Sequence, residues 1–363
     1  MSKLDELIAE LCPEGVVYKA IDELAKTLSP QVKIKSHDYL DCGQYPVIDQ
    51  GQDFIGGYTN DNRVFPKGEY IIFGDHTCVV KYIDFEFAQG ADGVKVLIPK
   101  GQICCKYLYY CMCSIKMDTS YARHWSKMRA EKIPLPPLAV QQEIVRILDS
   151  FTKLTAELTA ELTARRKQYE YYRDQLLTFG DEVPREKLGN IAQVSVGTKP
   201  TNIYENQMDF EYINAGTTNS GYTDCPNCEG DTVTTPSRGQ GGIGYVGYQA
   251  EPFWLGPLCY KIRAKNNDAF LNKFLFYYLQ SKNSELLKMK KAGGVPAINR
   301  IDLIQMSIPK VKFEQQKFVV QILDRFYTLC DDLTSGLPAE IETRQKQYEY
   351  YRDKLLSFKE LGV

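Results

Sequence analysis

The sequence predicts an α/β protein made of two mixed α/β domains and two long helices, arranged as two copies of one unit. Three observations lead to this fold class. The chain repeats itself, each repeat begins with short β-like runs separated by turns, and each repeat ends with apolar residues spaced by three and four. The chain has 363 residues, of which 44% are hydrophobic and 25% charged. That length and composition suit a globular protein of at least two domains.

Composition and charge exclude several classes of protein. The chain carries 44 Lys and Arg against 46 Asp and Glu, a formal net charge of −2, which excludes a general coat of positive charge. Any nucleic-acid contact must then come from local basic patches. The apolar runs are too short for a membrane span and the acidic N-terminal segment is unlike a signal peptide, so we expect a cytoplasmic protein without membrane contact. The 11 cysteines at irregular spacings are expected to be reduced thiols.

The internal repeat is clearest at the end of each unit. ARRKQYEYYRDQLLTF (164–179) matches TRQKQYEYYRDKLLSF (343–358) at 12 of 16 positions. Upstream, IPLPPLAVQQEIVRILDSF (133–151) pairs with IPKVKFEQQKFVVQILDRF (308–326). The fronts align only in short segments, such as KYLYYCM (106–112) with KFLFYYL (273–279). We therefore expect the two similar ends to share one role and the two different fronts to perform different versions of one role.

Each repeat ends in a pattern typical of a long helix that packs against another helix. In the first repeat the apolar seam lies between Pro137 and Gly180, which predicts a helix of about 40 residues with a helix-ending glycine after it. The second repeat has the same seam with four additional residues, including Gly336 and Pro338, which predict a break or kink. Because a long isolated helix is marginally stable, we expect the two helices to pair as an antiparallel coiled coil.

These helices are either a plain coiled-coil spacer or a spacer that also docks other subunits. Tyrosine is enriched at protein interfaces, and Tyr171 and Tyr350 lie off the apolar seam, which favours docking. The candidate docking residues are Tyr169, Tyr171, Tyr172, Tyr348, Tyr350 and Tyr351.

Each front combines predicted strands with turns and ends in a short helical run. The predicted strands are 70–73, 78–83, 94–98, 245–248 and 258–262, and the predicted helical runs are 106–112 and 273–287.

The search for catalytic chemistry in the fronts finds only isolated motifs. GQGGIG at 239–244 fits a dinucleotide-binding pattern, but the residues after it resemble a strand rather than the required helix. The C-x-x-C at 225–228 has no second pair, so a surface turn is favoured over zinc. Neither a nuclease-type carboxylate-x-Lys pattern nor the Asn/Asp-Pro-Pro-aromatic pattern of adenine methyltransferases is found. We expect no catalytic residue, no metal and no cofactor in this chain.

Basic residues recur just before the Ile-Pro pair of each repeat. Clustered Lys and Arg beside aromatic, glycine and amide residues suit phosphate contact and base readout in DNA, whereas a solvated charged loop is the alternative for either cluster alone. The predicted phosphate contacts are Arg123, Lys127, Arg129, Lys288, Lys290 and Lys291. The weaker candidates for base contact are Arg238, Gln240, Asn299, Asp75 and His76, and His124 and Arg300 complete the predicted DNA-binding set.

Together these features resemble the specificity subunit of type I restriction-modification systems. The resemblance covers the whole chain. It rests on the order of variable domain, long helix, variable domain and long helix, on the Ile-Pro…Gln-Gln…Ile-Leu-Asp junctions, and on the two Tyr-Glu-Tyr-Tyr-Arg-Asp endings. It implies target recognition domains at 1–136 and 181–312, each followed by a conserved long helix, at 137–180 and 313–363.

The resemblance also implies a function. Each target recognition domain would read one half of an asymmetric bipartite site in double-stranded DNA. The helices would set the gap and dock two adenine-methyltransferase subunits, to which two restriction subunits can be added. The chain would be non-catalytic, with S-adenosylmethionine, ATP and Mg²⁺ used by its partners. The alternatives are a coiled-coil scaffold without DNA contact, an enzyme such as a nuclease or fused methyltransferase, and an orphan or modification-only specificity subunit.

Overall fold

The structure, a computed structural model, describes residues 2–90, 93–117, 123–239, 241–290, 296–330 and 336–362. Contacts between residues divide the chain into two compact units. Unit 1 comprises Met1–Leu158 and Ile341–Val363, and unit 2 comprises Thr159–Glu340. The boundary between the units, at residues 158–159, falls within the first long helix (Leu138–Leu176). The predicted domain boundaries follow the sequence repeats and stay a prediction.

Both units combine helices with short strands. The helices are α1 (Lys3–Leu11), α2 (Ile21–Leu24), α3 (Cys105–Ser114), α4 (Trp125–Met128), α5 (Leu138–Leu176), α6 (Leu188–Ile191), α7 (Asn272–Ser281), α8 (Asn283–Lys288), α9 (Arg300–Leu303), α10 (Phe313–Cys330) and α11 (Leu337–Leu355). The strands of unit 1 are β1 (Val17–Ala20), β2 (Ala25–Leu28), β3 (Lys33–Ile34), β4 (Tyr45–Ile48), β5 (Gly57–Thr59), β6 (Tyr70–Gly74), β7 (Val80–Ile83), β8 (Ala88–Gly90), β9 (Val94–Pro99) and β10 (Lys132–Leu135). The strands of unit 2 are β11 (Arg185–Lys187), β12 (Ala192–Val196), β13 (Phe210–Ile213), β14 (Tyr222–Thr223), β15 (Thr232–Pro236), β16 (Gly247–Gln249), β17 (Trp254–Leu255), β18 (Cys259–Ala264) and β19 (Ser307–Pro309).

The two front domains share one sheet plan. In unit 1, β2, β9, β6 and β7 form an antiparallel sheet in that order, and in unit 2, β12, β18, β15 and β16 do the same. Each front also has a smaller sheet, β3-β8-β4-β5 in unit 1 and β14-β13-β17 in unit 2. The Ile-Pro segments form β10 and β19, which pair with β1 and β11. The central strands β6 and β15 are buried along their whole length, so they form the middle of each core.

The predicted elements of the fronts are confirmed with small shifts at their ends. The predicted strands correspond to β6, β7, β9, β16 and β18, and the first predicted helical run corresponds to α3. The second helical run is two helices, because α7 ends and α8 begins around Lys282.

The long helices also follow the prediction. Helix α5 has 39 residues. The helical region of the second repeat consists of α10 and α11, and residues 331–335 between them lie outside the described residues. Helix α11 begins directly after Gly336, with Pro338 in its first turn, where a missing N–H is tolerated. The predicted break in the second helix is therefore confirmed.

Helix packing within each unit has the predicted character. In unit 2, the ring of Tyr172 on α5 stacks against Phe326 on α10 with 5.7 Å between the ring centroids. Earlier on α5, the Arg166 guanidinium donates a hydrogen bond at 3.4 Å to the carbonyl oxygen of Cys330, which lies later on α10. The two segments therefore run antiparallel. In unit 1 the corresponding ring pair is Phe151 with Tyr351, at 5.5 Å.

One buried glutamine attaches each long helix to its front domain. Gln141 and Gln316 occupy the same position in the two junctions, and neither side chain is exposed. Each amide donates two hydrogen bonds to backbone carbonyl groups and accepts one from a backbone N–H, which satisfies groups that burial would otherwise leave unpaired. The partners are Gln102, Pro136 and Cys104 in unit 1, at 3.1, 2.8 and 2.8 Å, and Ala269, Val311 and Leu271 in unit 2, at 2.8, 3.1 and 2.9 Å.

Residues near the two ends of the chain meet in unit 1. The Val16 N–H donates to the Lys359 carbonyl oxygen, and the Leu361 N–H donates to the Val16 carbonyl oxygen, both at 2.9 Å. The Tyr18 hydroxyl donates to the Phe358 carbonyl oxygen, also at 2.9 Å. The segment after α11 thus adds a short parallel bridge beside β1.

Candidate nucleic-acid interface

The predicted residues of the first front meet where β6 ends. The carbonyl oxygen of Asp75 accepts a hydrogen bond from the His124 main-chain N–H at 2.8 Å. Asp75 Oδ1 accepts a second bond at 2.8 Å from the Trp125 N–H, at the start of α4. An acidic side chain is favoured there because the first N–H groups of a helix have no partner within the helix. Residues 75–76 and 123–125 therefore lie side by side, and we call them edge 1.

Unit 2 has a comparable edge where β15 ends. The Ser237 carbonyl oxygen accepts a hydrogen bond from the Ile298 N–H at 2.9 Å. Arg238 pairs with Ala297 in an antiparallel bridge, and the Gly239 N–H donates to the carbonyl oxygen of residue 296 at 3.0 Å. Residues 237–239 and 296–298 form edge 2. In both edges a carbonyl oxygen just after the equivalent strand accepts a main-chain hydrogen bond from the second segment, and the side chains differ.

Exposure separates the predicted edge residues into two groups. Arg123 and Arg238 are exposed and His76 is half-buried. Asp75 and His124 are buried, with 6% and 0% of their surface exposed. A buried side chain cannot reach a ligand without a conformational change. The structure therefore gives Asp75 and His124 a role in building edge 1, and their predicted DNA contacts stay a prediction that this burial disfavours.

Exposed cations lie close to both edges in the sequence. Lys127 lies on α4 and Arg129 follows that helix, while Lys288 ends α8 and Lys290 comes two residues later; all four are exposed. Flexible, exposed Lys and Arg side chains suit contacts to phosphate groups, which position a protein on a duplex. Their contact with DNA stays a prediction.

The remaining predicted residues of the second front lie at the start of α9 or outside the described residues. Asn299 is exposed and immediately precedes α9. Arg300 is exposed as well, but its Nε donates to the Val194 carbonyl oxygen at 2.7 Å, so this side chain attaches α9 to β12. Gln240 and Lys291 lie outside the described residues.

Gln50 contacts edge 1, although no local sequence motif indicates a role for it. Its Oε1 accepts a hydrogen bond from the His76 N–H at 3.2 Å, and its carbonyl oxygen accepts one from Thr77 Oγ1 at 2.6 Å. The nearest sequence signal is the match of VIDQG (47–51) with YINAG (212–216). In this alignment of the two repeats, Gln50 corresponds to Ala215. Gln50 thus differs between the repeats at a position beside edge 1.

A buried cation holds the loop that carries Gln50. Lys81 on β7 is 4% exposed, and its Nζ donates to the carbonyl oxygens of Asp49, at 3.0 Å, and Asp53, at 2.5 Å. Burial lowers the pKa of Lys81, and the nearby Asp49 carboxylate, 3.8 Å from Nζ, opposes that shift. Loop 49–53 is therefore fixed to the sheet next to edge 1.

The tyrosines of the long helices fall into two groups, those that face a front domain and those that face solvent. Tyr169 is 6% exposed, and its hydroxyl donates to Gln280 Oε1 at 2.9 Å on α7. Tyr348 is half-buried, and burial raises its pKa to about 12. Tyr171 and Tyr350 are 60% and 63% exposed. The first pair therefore packs against the front domains, and the second pair is available to a partner.

Tyr172 and Tyr351 occupy an intermediate position. They are 39% and 41% exposed, while one ring face of each stacks on a phenylalanine of the facing helix. All six tyrosines stay predicted docking residues, and those of the exposed pair have the most accessible rings.

The isolated motifs do not assemble a reactive site in the described part of the chain. Residues 247–249, after the glycine-rich segment, form β16 rather than the helix that a dinucleotide site needs. Cys225 is exposed and Cys228 is buried, and burial raises the pKa of the Cys228 thiol. No group of three His, Cys, Asp or Glu side chains with the geometry of a metal site occurs among the described residues. None of the described helices has the combined length and apolarity that crossing a bilayer requires.

Two domains with one sheet plan, each followed by a long helix and each carrying exposed cations close in sequence to its edge, define a tandem-repeat protein whose charge pattern is the one expected of the nucleic-acid-binding class. The family model described as "Type I restriction modification DNA specificity domain" matches the chain twice, over residues 13–165 and 181–343. The chain therefore belongs to the family of type I restriction-modification specificity subunits, and its role in such a system is non-catalytic.

Similar proteins agree with this membership. The specificity subunit of the type I restriction enzyme EcoR124I/EcoR124II from Escherichia coli is 34% identical over 99% of this chain and 98% of its own length. A putative specificity subunit from Haemophilus influenzae is 28% identical over 94% and 96%.

Solved structures share the fold. The S subunit of a type I system from M. genitalium has a TM-score of 0.66 at 20% identity and covers 94% of each chain. A chain from a structural study of complex assembly and conformational transition of the type I R-M system has a TM-score of 0.56 at 17% identity, over 96% of this chain and 98% of that one.

Proposed function

We propose that unit 1 and unit 2 each read one half of an asymmetric bipartite site in double-stranded DNA. The observation that carries this proposal is the pair of edges, which follow equivalent strands, share one main-chain hydrogen bond and differ in side chains. Such segments present their side chains to DNA from equivalent places in the two sheets. Because base readout depends on the donors and acceptors offered, His76 of edge 1 selects a different half-site from Arg238 of edge 2.

The long helices set the gap between the half-sites. At about 1.5 Å per residue, the 39 residues of α5 extend about 60 Å, which is close to two turns of B-DNA at about 34 Å each. A helix is stiff along its axis, so its length is a suitable ruler.

The same helices dock two adenine-methyltransferase subunits. The tyrosine segments of the two repeats are nearly identical and each exposes one ring, at Tyr171 and Tyr350. Two copies of one surface suit two copies of one partner. S-adenosylmethionine, ATP and Mg²⁺ are then used by the partner subunits, which include two restriction subunits when the complex cleaves DNA.

The test is made with the complex of this chain and its methyltransferase subunits. Sequencing of methylated adenines gives both half-sites and the gap. Fluorescence anisotropy with a duplex containing that site, at several salt concentrations, then gives the affinity and its salt dependence. For Lys127→Ala we expect weaker binding to all sequences and a salt slope smaller by about one phosphate contact. For Arg238→Ala we expect relaxed preference in one half-site only.

Lys153→Ala is the matched control, because Lys153 is an exposed cation on α5, distant in sequence from both edges. It should leave the salt slope and the base preferences unchanged. A complex that methylates without a bipartite site, or edge variants that behave like this control, would contradict the proposal.

A further inference from the structure

One side-chain network recurs in both units although the front domains have diverged. In unit 1, the Lys106 ammonium and the Tyr110 hydroxyl, both on α3, donate to the two carboxylate oxygens of Asp149 on α5, at 2.7 and 2.6 Å. In unit 2, Lys273 and Tyr277 on α7 donate in the same way to Asp324 on α10, at 2.8 and 2.7 Å. We call each network a joint.

Each joint continues into the sheet. The Lys106 ammonium lies 5.3 Å from the centroid of the Tyr82 ring on β7, and the Tyr82 hydroxyl donates to Glu69. In unit 2, the ammonium of the equivalent lysine lies 5.4 Å from the Tyr248 ring on β16, and the Tyr248 hydroxyl donates to Asp231 at 2.5 Å. The carboxylate on the long helix is thus connected, through one lysine, to an outer strand of the main sheet in both units.

We propose that Asp149 and Asp324 are positioning residues that fix the orientation of each recognition domain on its helix and thereby determine how its edge meets its half-site. This inference rests on the proposed function and adds the residues that control the angle at which each recognition domain meets its half-site.

The chemistry of the joint suits orientation more than stability. The Lys106 and Asp149 side chains are 33% and 38% exposed, and those of Lys273 and Asp324 are 38% and 34% exposed. Ion pairs with this exposure contribute little to stability. However, a carboxylate that accepts charge-assisted hydrogen bonds on both oxygens is held in one orientation relative to its two donors. Burial, together with the bond to the carboxylate, raises the pKa of Tyr110 and of Tyr277, so both phenols stay protonated as donors.

In unit 1 the joint is also close to the loop of edge 1. Asp149, Lys106 and Tyr82 line a cleft that is also lined by Gln52 and Lys81. Lys81 is the buried cation that holds loop 49–53, and it precedes Tyr82 on β7. A rotation of the domain at this joint would therefore move the loop that carries Gln50 relative to the helix.

The experiment uses the full chain in its complex with methyltransferase subunits and compares Asp149→Asn with Asp324→Asn. Asparagine keeps the size and one acceptor but removes the charge that holds the lysine. We expect each variant to lose about 10-fold in discrimination between correct and altered bases in one half-site, and to retain discrimination in the other. The edge variants His76→Ala and Arg238→Ala, at predicted base contacts, identify which half-site belongs to which unit. The readout is the methylation rate on duplexes altered in one half at a time.

Asp174→Asn and Asp353→Asn are matched controls, because these aspartates also recur in both repeats and, within the described part of the chain, each side chain binds the adjacent arginine, at 2.8 Å in each case. They should leave both half-sites unchanged. An equal loss in both half-sites, a fall in melting temperature without a change in discrimination, or no difference from the controls would overturn the inference. If the wild-type complex shows no bipartite site, the proposed function fails first and the inference fails with it.

Discussion

Helices α5 and α10 differ in charge and exposure at one pair of equivalent positions. Glu143 on α5 is 4% exposed, and its carboxylate binds Lys3 of α1 at 3.1 Å and Arg146 at 2.6 Å. The residue at the same place on α10 is Phe318, which is 58% exposed. Unit 1 is therefore charged and covered at this point, whereas unit 2 is apolar and open.

Helix α1 is the cause of the difference. Its Leu4 is buried in the core of unit 1, and Leu7 and Ile8 pack against the same core. Ser2 caps the helix by accepting a hydrogen bond from the Asp5 N–H. By contrast, the joints and the buried glutamines are the same in both units. The comparison teaches that the repeats agree where the helix holds the front domain and differ where an additional helix covers the surface.

The largest effect is expected at the buried glutamine that attaches the long helix to the front domain in both units. Gln141→Leu and Gln316→Leu each leave three backbone hydrogen-bonding groups without a partner, and we expect each to lower the free energy of unfolding by about 3 kcal/mol. Denaturant unfolding measures this loss. Gln142→Leu and Gln315→Leu, at exposed neighbouring positions, should change it by less than about 0.5 kcal/mol. A large loss in only one unit would show that the two attachments are not equivalent.

An intermediate effect is expected at the exposed tyrosines. Tyr171→Ala and Tyr350→Ala should each weaken the binding of one methyltransferase subunit by about 10-fold, because aromatic anchors provide much of the energy of an interface. Analytical ultracentrifugation of the complex over a range of concentrations measures the stoichiometry. The corresponding phenylalanine variants keep the ring and serve as controls. Unequal losses would indicate that α1, which is present only at unit 1, changes one docking surface.

The smallest effect concerns the charge that distinguishes the units. Arg146 and Lys3 hold the pKa of Glu143 at about 2, below its ordinary value of 4.5. A lowered pKa in the folded state stabilises the protein above about pH 4.5, and this contribution is lost as the pH falls towards about 2. Glu143→Gln should therefore flatten the fall of unfolding free energy over that range. Phe318→Ser, which changes the equivalent position without removing a charge, should leave the acid dependence unchanged. Equal acid profiles for wild type and Glu143→Gln would contradict this assignment.

The parts of the fold that depend on local periodicity could be predicted from the sequence. The threes and fours of the seam predicted α5, and Gly336 with Pro338 predicted the break before α11. The same periodicity placed Tyr171 and Tyr350 off the seam, in agreement with their exposure. A helix fixes the direction of every side chain from its spacing alone, so these predictions needed no tertiary information.

The edges depend on contacts between distant segments, and local patterns could not show them. His124 belongs to a basic, polar segment, yet it is buried, and its main chain bonds to Asp75, 49 positions earlier. Gln50 could not be predicted because it lies 26 positions before His76, and only the folded domain brings the two residues into contact. The repeated joints were overlooked for a related reason. Lys106 and Asp149 are each visible in the alignment, but nothing in their spacing shows that they touch.

The pairing of Val16 with Lys359 and Leu361 has a consequence for how the protein is made. Unit 2 is a continuous stretch of chain, whereas unit 1 needs residues from both the beginning and the end. During translation the contacts of Val16 form only after α11 and the segment that follows it have been made, whereas the contacts within residues 159–340 can form earlier. Removal of residues 359–361 would therefore remove contacts of unit 1 rather than of unit 2.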